Sequence, residues 1–127
     1  MYNIHREKRV MMVIVVEGTK MFSDYEVFMR AMGVALSTPN EDSEIQVWSL
    51  GPHKINNFTA GFCNTSEDYL KGKGFKLSFS KTTEQWVRQN IEHITYYAYF
   101  SLPKEPLSKF ATHMKHQEGV EVGIFRY

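Results

Sequence analysis

The stretch Val10–Val16, VMMVIVV, constrains this chain more than any other. It is wholly apolar and rich in β-branched side chains, so as a strand it has no face to give to water. Such a strand belongs inside a sheet that is covered on both sides. The run is far too short to cross a bilayer, which takes roughly 20 apolar residues. It also lacks the flanks and the small-residue cleavage site of a secretory signal. It stops at Glu17-Gly18, where the chain must turn.

The segments that follow alternate between helical and strand-like patterns. In SDYE, Ser23 and Glu26 have capping-box spacing, and Phe28, Met29, Met32, Ala35 and Leu36 then recur on one stripe. Pro39 and Asn40 end that helix. Glu44–Leu50 reads as a second strand, stopped by Gly51-Pro52. Between Lys54 and Lys71, Ile55, Phe58, Phe62, Tyr69 and Leu70 fit a helix that Gly61 and CNTSED interrupt, so a helix or broken helix is expected. Phe75, Leu77 and Phe79 alternate with Lys76, Ser78 and Ser80, the pattern of a strand with one wetter face near a sheet edge.

Thr82 and Gln85 form a second capping box before a short helix carrying Trp86, Val87, Gln89 and Ile91. Ile94–Phe100 is strand-like in its β-branched and aromatic content. Pro103 and Pro106 mark a loop and a helix start. Leu107, Phe110, Ala111 and Met114 supply that helix's apolar face, Gly119 ends it, and VEVGIFRY closes the chain as a strand.

Strands and helices alternating in this way predict βαβ units with right-handed connections. The expectation is an α/β fold: one three-layer domain over residues 1–127, with a mostly parallel sheet of about five strands and helices on both faces. Residues 1–9 form a short, solvated N-terminal tail. In such sheets ligands bind beyond the strands' carboxyl ends, where strand order reverses. The loops of interest are therefore Glu17–Phe22, Gly51–Asn57, Ser80–Thr83 and Ser101–Pro106.

Composition excludes several functions. Fifteen basic and fourteen acidic residues leave a formal charge of +1, which argues against a broad nucleic-acid footprint. Cys63 is alone, so neither an intrachain disulfide nor a cysteine zinc site can form, and its expected place is as a small buried hydrophobe. His113 and His116 lie three apart on the last predicted helix without a third ligand, so a solvated basic face is expected and no metal. No nucleophile triad, HExxH, Walker loop or paired-carboxylate signature is present. Asp24 and Glu26 are accounted for by helix capping, and Tyr96, Tyr97 and Tyr99 by core packing or a protein interface.

The stretch VIVVEGTKMFSDYEVFMRAM, together with the order of elements and the closing GVEVGIFRY, resembles small single-domain members of the SLOG superfamily. This is the Rossmann-like group that includes DprA-type and LOG-type proteins. Gly18, Thr19 and Lys20 stand where those proteins have a Gly-Ser/Thr-Arg turn, and Phe22, Asp24 and Tyr25 match the helix entry. The later glycine-rich turns are replaced by SLGPHKINNFTAGF and SLPKEPLSKF, the latter without glycine. Phosphate needs close backbone approach, usually over glycine, and proline removes a donor.

The resemblance therefore implies a Rossmann-like domain with degenerate loops, without catalysis or cofactor. It would be a cytoplasmic accessory protein, in the host cytoplasm if phage-encoded, acting by binding a nucleotide-derived ligand or a host protein and countering a host response. The ligand-contacting residues expected on this basis are Gly18, Thr19, Lys20, Phe22, Gly51 and His53. Two alternatives stand beside it. One is a LOG-like N-glycosidic hydrolase, for which Glu17, Glu105, Arg88 and Arg126 are the available suppliers of carboxylate and guanidinium. The other is a homo-oligomeric scaffold or interaction module, and no membrane association is expected on any of these readings.

Overall fold

The computed structural model describes residues 11–37 and 44–127. The tail of residues 1–9, Val10 and the helix stop at Pro39 and Asn40 lie outside the described residues. Among the described residues five strands form one sheet: β1 (Met11–Gly18), β2 (Glu44–Gly51), β3 (Lys76–Lys81), β4 (Tyr96–Ser101) and β5 (Glu121–Arg126). Their order is β3-β2-β1-β4-β5, and every neighbouring pair is parallel. The helices are α1 (Tyr25–Ala35), α2 (His53–Gly72), α3 (Glu84–Gln89) and α4 (Lys109–Lys115), with a 3₁₀ turn at Ile91–His93. This is a Rossmann-like α/β arrangement with helices on both faces. None of the described helices is long and apolar enough to cross a membrane.

Strand β1 lies at the centre, as its apolar run requires. Met12, Ile14 and Val16 pack into one cluster with Phe28, Ala31 and Met32 of α1 and Ile55, Phe62 and Cys63 of α2. Val13 and Val15 point the other way, toward Trp48, Tyr97 and Tyr99, Val87 of α3, and Phe110, Ala111 and Met114 of α4. The pairing of β1 with β2 slips between Val16 and Glu17, where Val16 faces Ser49 but Glu17 faces Gly51. The irregularity falls at the carboxyl end of β1, next to the loops of interest.

Several boundaries differ from expectation for identifiable reasons. Helix α2 is one unbroken element of 20 residues. Burial of Ile55, Thr59, Phe62, Cys63 and Leu70 along it outweighs the poor propensity of its polar stretch, and Asn64, Glu67 and Asp68 stay on its wet side. The cap of α1 is Asp24 rather than Ser23: its carboxylate accepts from the Val27 N–H at 3.1 Å. The cap of α3 is Thr83 rather than Thr82, because the Thr82 N–H is committed to the Ser49 carbonyl at 2.8 Å. Ser108 caps α4, so Leu107 precedes that helix. Gly119 has φ +82° and serves the turn into β5. Met29 is 42% exposed, outside the buried stripe of Phe28, Ala31, Met32 and Ala35. Tyr96, Tyr97 and Tyr99 are buried in β4, which makes them core residues and not an exposed interface.

Phe28 is the hinge of the α1–α2 layer. It is fully buried, with ring centroids 4.8 Å from Phe100, 5.6 Å from Phe58 and 6.5 Å from Phe62. Phe28→Ala is expected to cost about 3–5 kcal/mol, read as a lower urea midpoint with an unchanged slope. An unmoved midpoint would contradict this packing.

Candidate functional site

With the order β3-β2-β1-β4-β5, the chain leaves β1 toward β2 and leaves β4 toward β5, in opposite directions across the sheet. The crevice for a ligand therefore lies beyond the carboxyl ends of β1 and β4. Two loops meet there, the one after Gly18 and the one after Ser101. The Thr19 N–H donates to the Phe100 carbonyl at 2.9 Å, continuing the pairing of the two strands by one residue. The Thr19 hydroxyl donates to Glu105 Oε1 at 2.6 Å, and the Leu102 N–H donates to the same oxygen at 2.8 Å. One carboxylate thus joins both loops, and donors that an anion would need are already engaged by it. These bonds hold the Glu105 carboxyl below its ordinary value, the Thr19 bond contributing most.

Glu17 is the second carboxylate at this rim. Its side chain leaves the sheet on the α3–α4 side, where the Tyr97 hydroxyl donates to Glu17 Oε1. Burial pushes the Glu17 carboxyl above its ordinary value. The bond from Tyr97 opposes that shift and the charge of Glu84 adds to it. Burial also drives the Tyr97 hydroxyl upward, reinforced by the charge of Glu17. The two carboxylates of one rim are therefore displaced in opposite directions, by environments that differ in dryness and in the donors they offer.

The residues singled out from sequence fall into separate places. Gly18, Thr19 and Lys20 stand at the crevice, with Lys20 exposed. A Cβ at Gly18 would lie 2.7 Å from both Cγ1 and Cδ1 of Ile55 and 3.1 Å from the Phe100 carbonyl oxygen. The glycine is thus required by the approach of α2 to β1, and the space beside it is filled by a side chain. Phe22 is fully buried against Phe100, ring centroids 5.2 Å apart, so it belongs to the core.

Gly51 has φ +91° and ends β2 one strand away from the crevice. Below it the Ser49 hydroxyl donates to Asn56 Oδ1 at 2.6 Å. His53 is exposed at the start of α2, its Nε2 3.3 Å from the Asn57 amide nitrogen. Among the described residues no group of three or more His, Cys, Asp or Glu is placed to hold a metal ion.

Of the residues weighed for hydrolysis, Glu17 and Glu105 both reach the rim. Arg88 does not, since its guanidinium lies 5.0 Å above the Phe110 ring. Arg126 ends the edge strand β5. Tyr97 and Glu84 had no motif to reveal them. The one available signal was parity, since odd positions of β1 and of β4 share a face, which puts Glu17 on the side of Tyr97 and Tyr99.

The opposite shifts give opposite pH dependences. Glu17 titrates higher in the folded chain than its ordinary 4.5, so stability is best below that value and falls as pH rises through the raised one. The contribution of Glu105 is present above 4.5 and is lost as pH falls through its lowered value. Glu17→Gln is therefore expected to melt above the wild type at neutral pH, and Glu105→Gln below it. Both differences should close in acid, as thermal melts across pH would check.

Comparison of the chain with protein-family models, curated proteins and solved structures finds no match in any of the three, so function is inferred from the geometry of these residues.

Proposed function

We propose that this chain is a binding protein whose Rossmann-like domain takes a nucleotide-derived ligand at the β1–β4 crevice, by its hydroxyl groups, without turning it over. The observation that carries this is the Glu105 carboxylate, fixed by Thr19 and Leu102 where open α/β sheets receive ligands. Both bonds land on Oε1, and among the described residues none lands on Oε2. A carboxylate oriented in advance, with one oxygen open, is an acceptor for ribose hydroxyls, the role acidic residues play in dinucleotide-binding sheets. The same charge, with Glu17 on the same rim, opposes phosphate at this point. The polar groups after β1 and β4 thus serve to hold an acid.

Calorimetry against nucleosides and nucleotides is expected to show binding at the crevice with the ligand recovered intact. Glu105→Gln should weaken it about tenfold or more, the scale of a lost hydrogen bond to a charged group. No heat from any member of the panel would remove the small-ligand function. It would shift the proposal to a protein partner, the other partner the superfamily resemblance implies.

A hydrolytic function is the second reading, and the split between the two carboxylates favours it. Enzyme sites commonly divide acid and base roles between two rim carboxylates held in unlike environments, here burial for Glu17 and hydrogen bonds for Glu105. Incubation with nucleoside monophosphates followed by chromatography separates the two. A free base released by the wild type and not by Glu17→Gln would replace binding with N-glycosidic hydrolysis.

A further inference from the structure

The second helical layer stops short of the sheet's β3 edge. Helices α3 and α4 cover β1, β4 and Trp48 of β2, while Lys76, Ser78 and Ser80 of β3 are exposed. Ser78 lies alongside Gln46 and Ser80 alongside Trp48 in the β2–β3 register. Trp86 of α3 stands at the border. It is 49% exposed, with its ring 6.2 Å from that of Trp48 at an angle of 60°. An open groove of about 440 Å³ lies here, lined by Gln46, Trp48, Ser80, Lys81 and Trp86 together with the loop into α3.

The groove's chemistry is set by a few fixed groups. The Trp86 N–H donates to the Thr83 hydroxyl at 3.2 Å, and its carbonyl accepts from Asn90 Nδ2 at 2.8 Å, so the backbone under the indole is anchored. Trp48 Nε1 donates to Gln46 Oε1 at 3.1 Å, which fixes which end of that amide is the acceptor. Among the described residues Gln46 Nε2 has one weak bond, to Met11 Sδ at 3.6 Å, which leaves a second N–H as a donor at the groove. A large ring half open to water above polar side chains is a stacking platform, and stacking tolerates any planar base.

We infer that this ledge binds a planar heteroaromatic ring with a hydrogen-bonding edge, the chemistry of a nucleobase. The ring stacks on Trp86, and the Gln46 amide and the Ser80 hydroxyl meet its edge. The ledge uses none of the crevice residues, so it goes beyond the function proposed above and does not rest on it.

The chain's two tryptophans, Trp48 and Trp86, both lie on the ledge, so tryptophan emission, excited where the seven tyrosines do not absorb, reads this place alone. Titration with AMP, GMP, CMP and UMP is expected to quench emission saturably with at least one of them. Trp86→Ala, at an exposed position that leaves folding intact, should weaken that binding about tenfold or more, as loss of a stacking ring does. Trp86→Phe should restore it to within about threefold. Glu105→Gln should leave the quench unchanged. A quench that survives Trp86→Ala, or that vanishes in Glu105→Gln, would overturn the ledge and leave the crevice proposal standing. No quench with any of the four nucleotides would overturn it as well, whatever calorimetry reports for the crevice.

Discussion

Strand β1 has no wet face, and the rest of the molecule is arranged around that fact. Met12 through Val16 are buried on alternate sides, so two separate apolar layers must be built, one by α1 and α2 and the other by α3 and α4. Each residue of such a strand contributes to stability by removing its whole side chain from water, at about 25 cal/mol per Å² of apolar surface. The same burial leaves the strand's ends as the places where polar groups can be set. The first polar side chain after the run is Glu17, and its position at the rim follows directly from where the apolar run ends.

Much of the fold was legible because it is governed by periodicity. The uninterrupted apolar run marked the central strand. The alternation of Phe75, Leu77 and Phe79 with Lys76, Ser78 and Ser80 marked an edge strand, which β3 is. What was not legible depended on contacts distant in sequence. The start of α3 is set by a bond from Thr82 to Ser49, and the glycine at position 18 by a helix entering 37 residues later at Ile55. A glycine after a first strand reads as a phosphate turn when the chain is considered locally. In three dimensions the same residue is a clearance for a side chain. The candidate site was legible only in location. Thr19 belonged to an expected loop, but its bond to Glu105 spans 86 residues and leaves no local pattern.

The rim also shows how one fold position can hold two unlike acids. Glu17 is half-buried beside a hydroxyl that is itself difficult to ionise, and Glu105 is served by two donors at the mouth of the crevice. Dryness governs the first and hydrogen bonding the second, so their charges respond differently to the same change in surroundings. A ligand that excludes water from the crevice would act on Glu105, which is still wet, more than on Glu17, which burial has already dried. Protonation of the pair is thereby linked to occupancy of the site.

The central position of β1 bears on how the chain is made. Its partner on one side, β2, follows within a few dozen residues, but its partner on the other side is β4, and Val13 meets Thr95 across a separation of 82 residues. At synthesis rates of about 5–20 residues per second, that is roughly 4–16 seconds in which a fully apolar strand has one unpaired edge. Unpaired apolar edges are where chains find the wrong neighbours. The nascent protein is most exposed to association before Ser101 has emerged, and a chaperone that shields the first half of the chain would act in that interval.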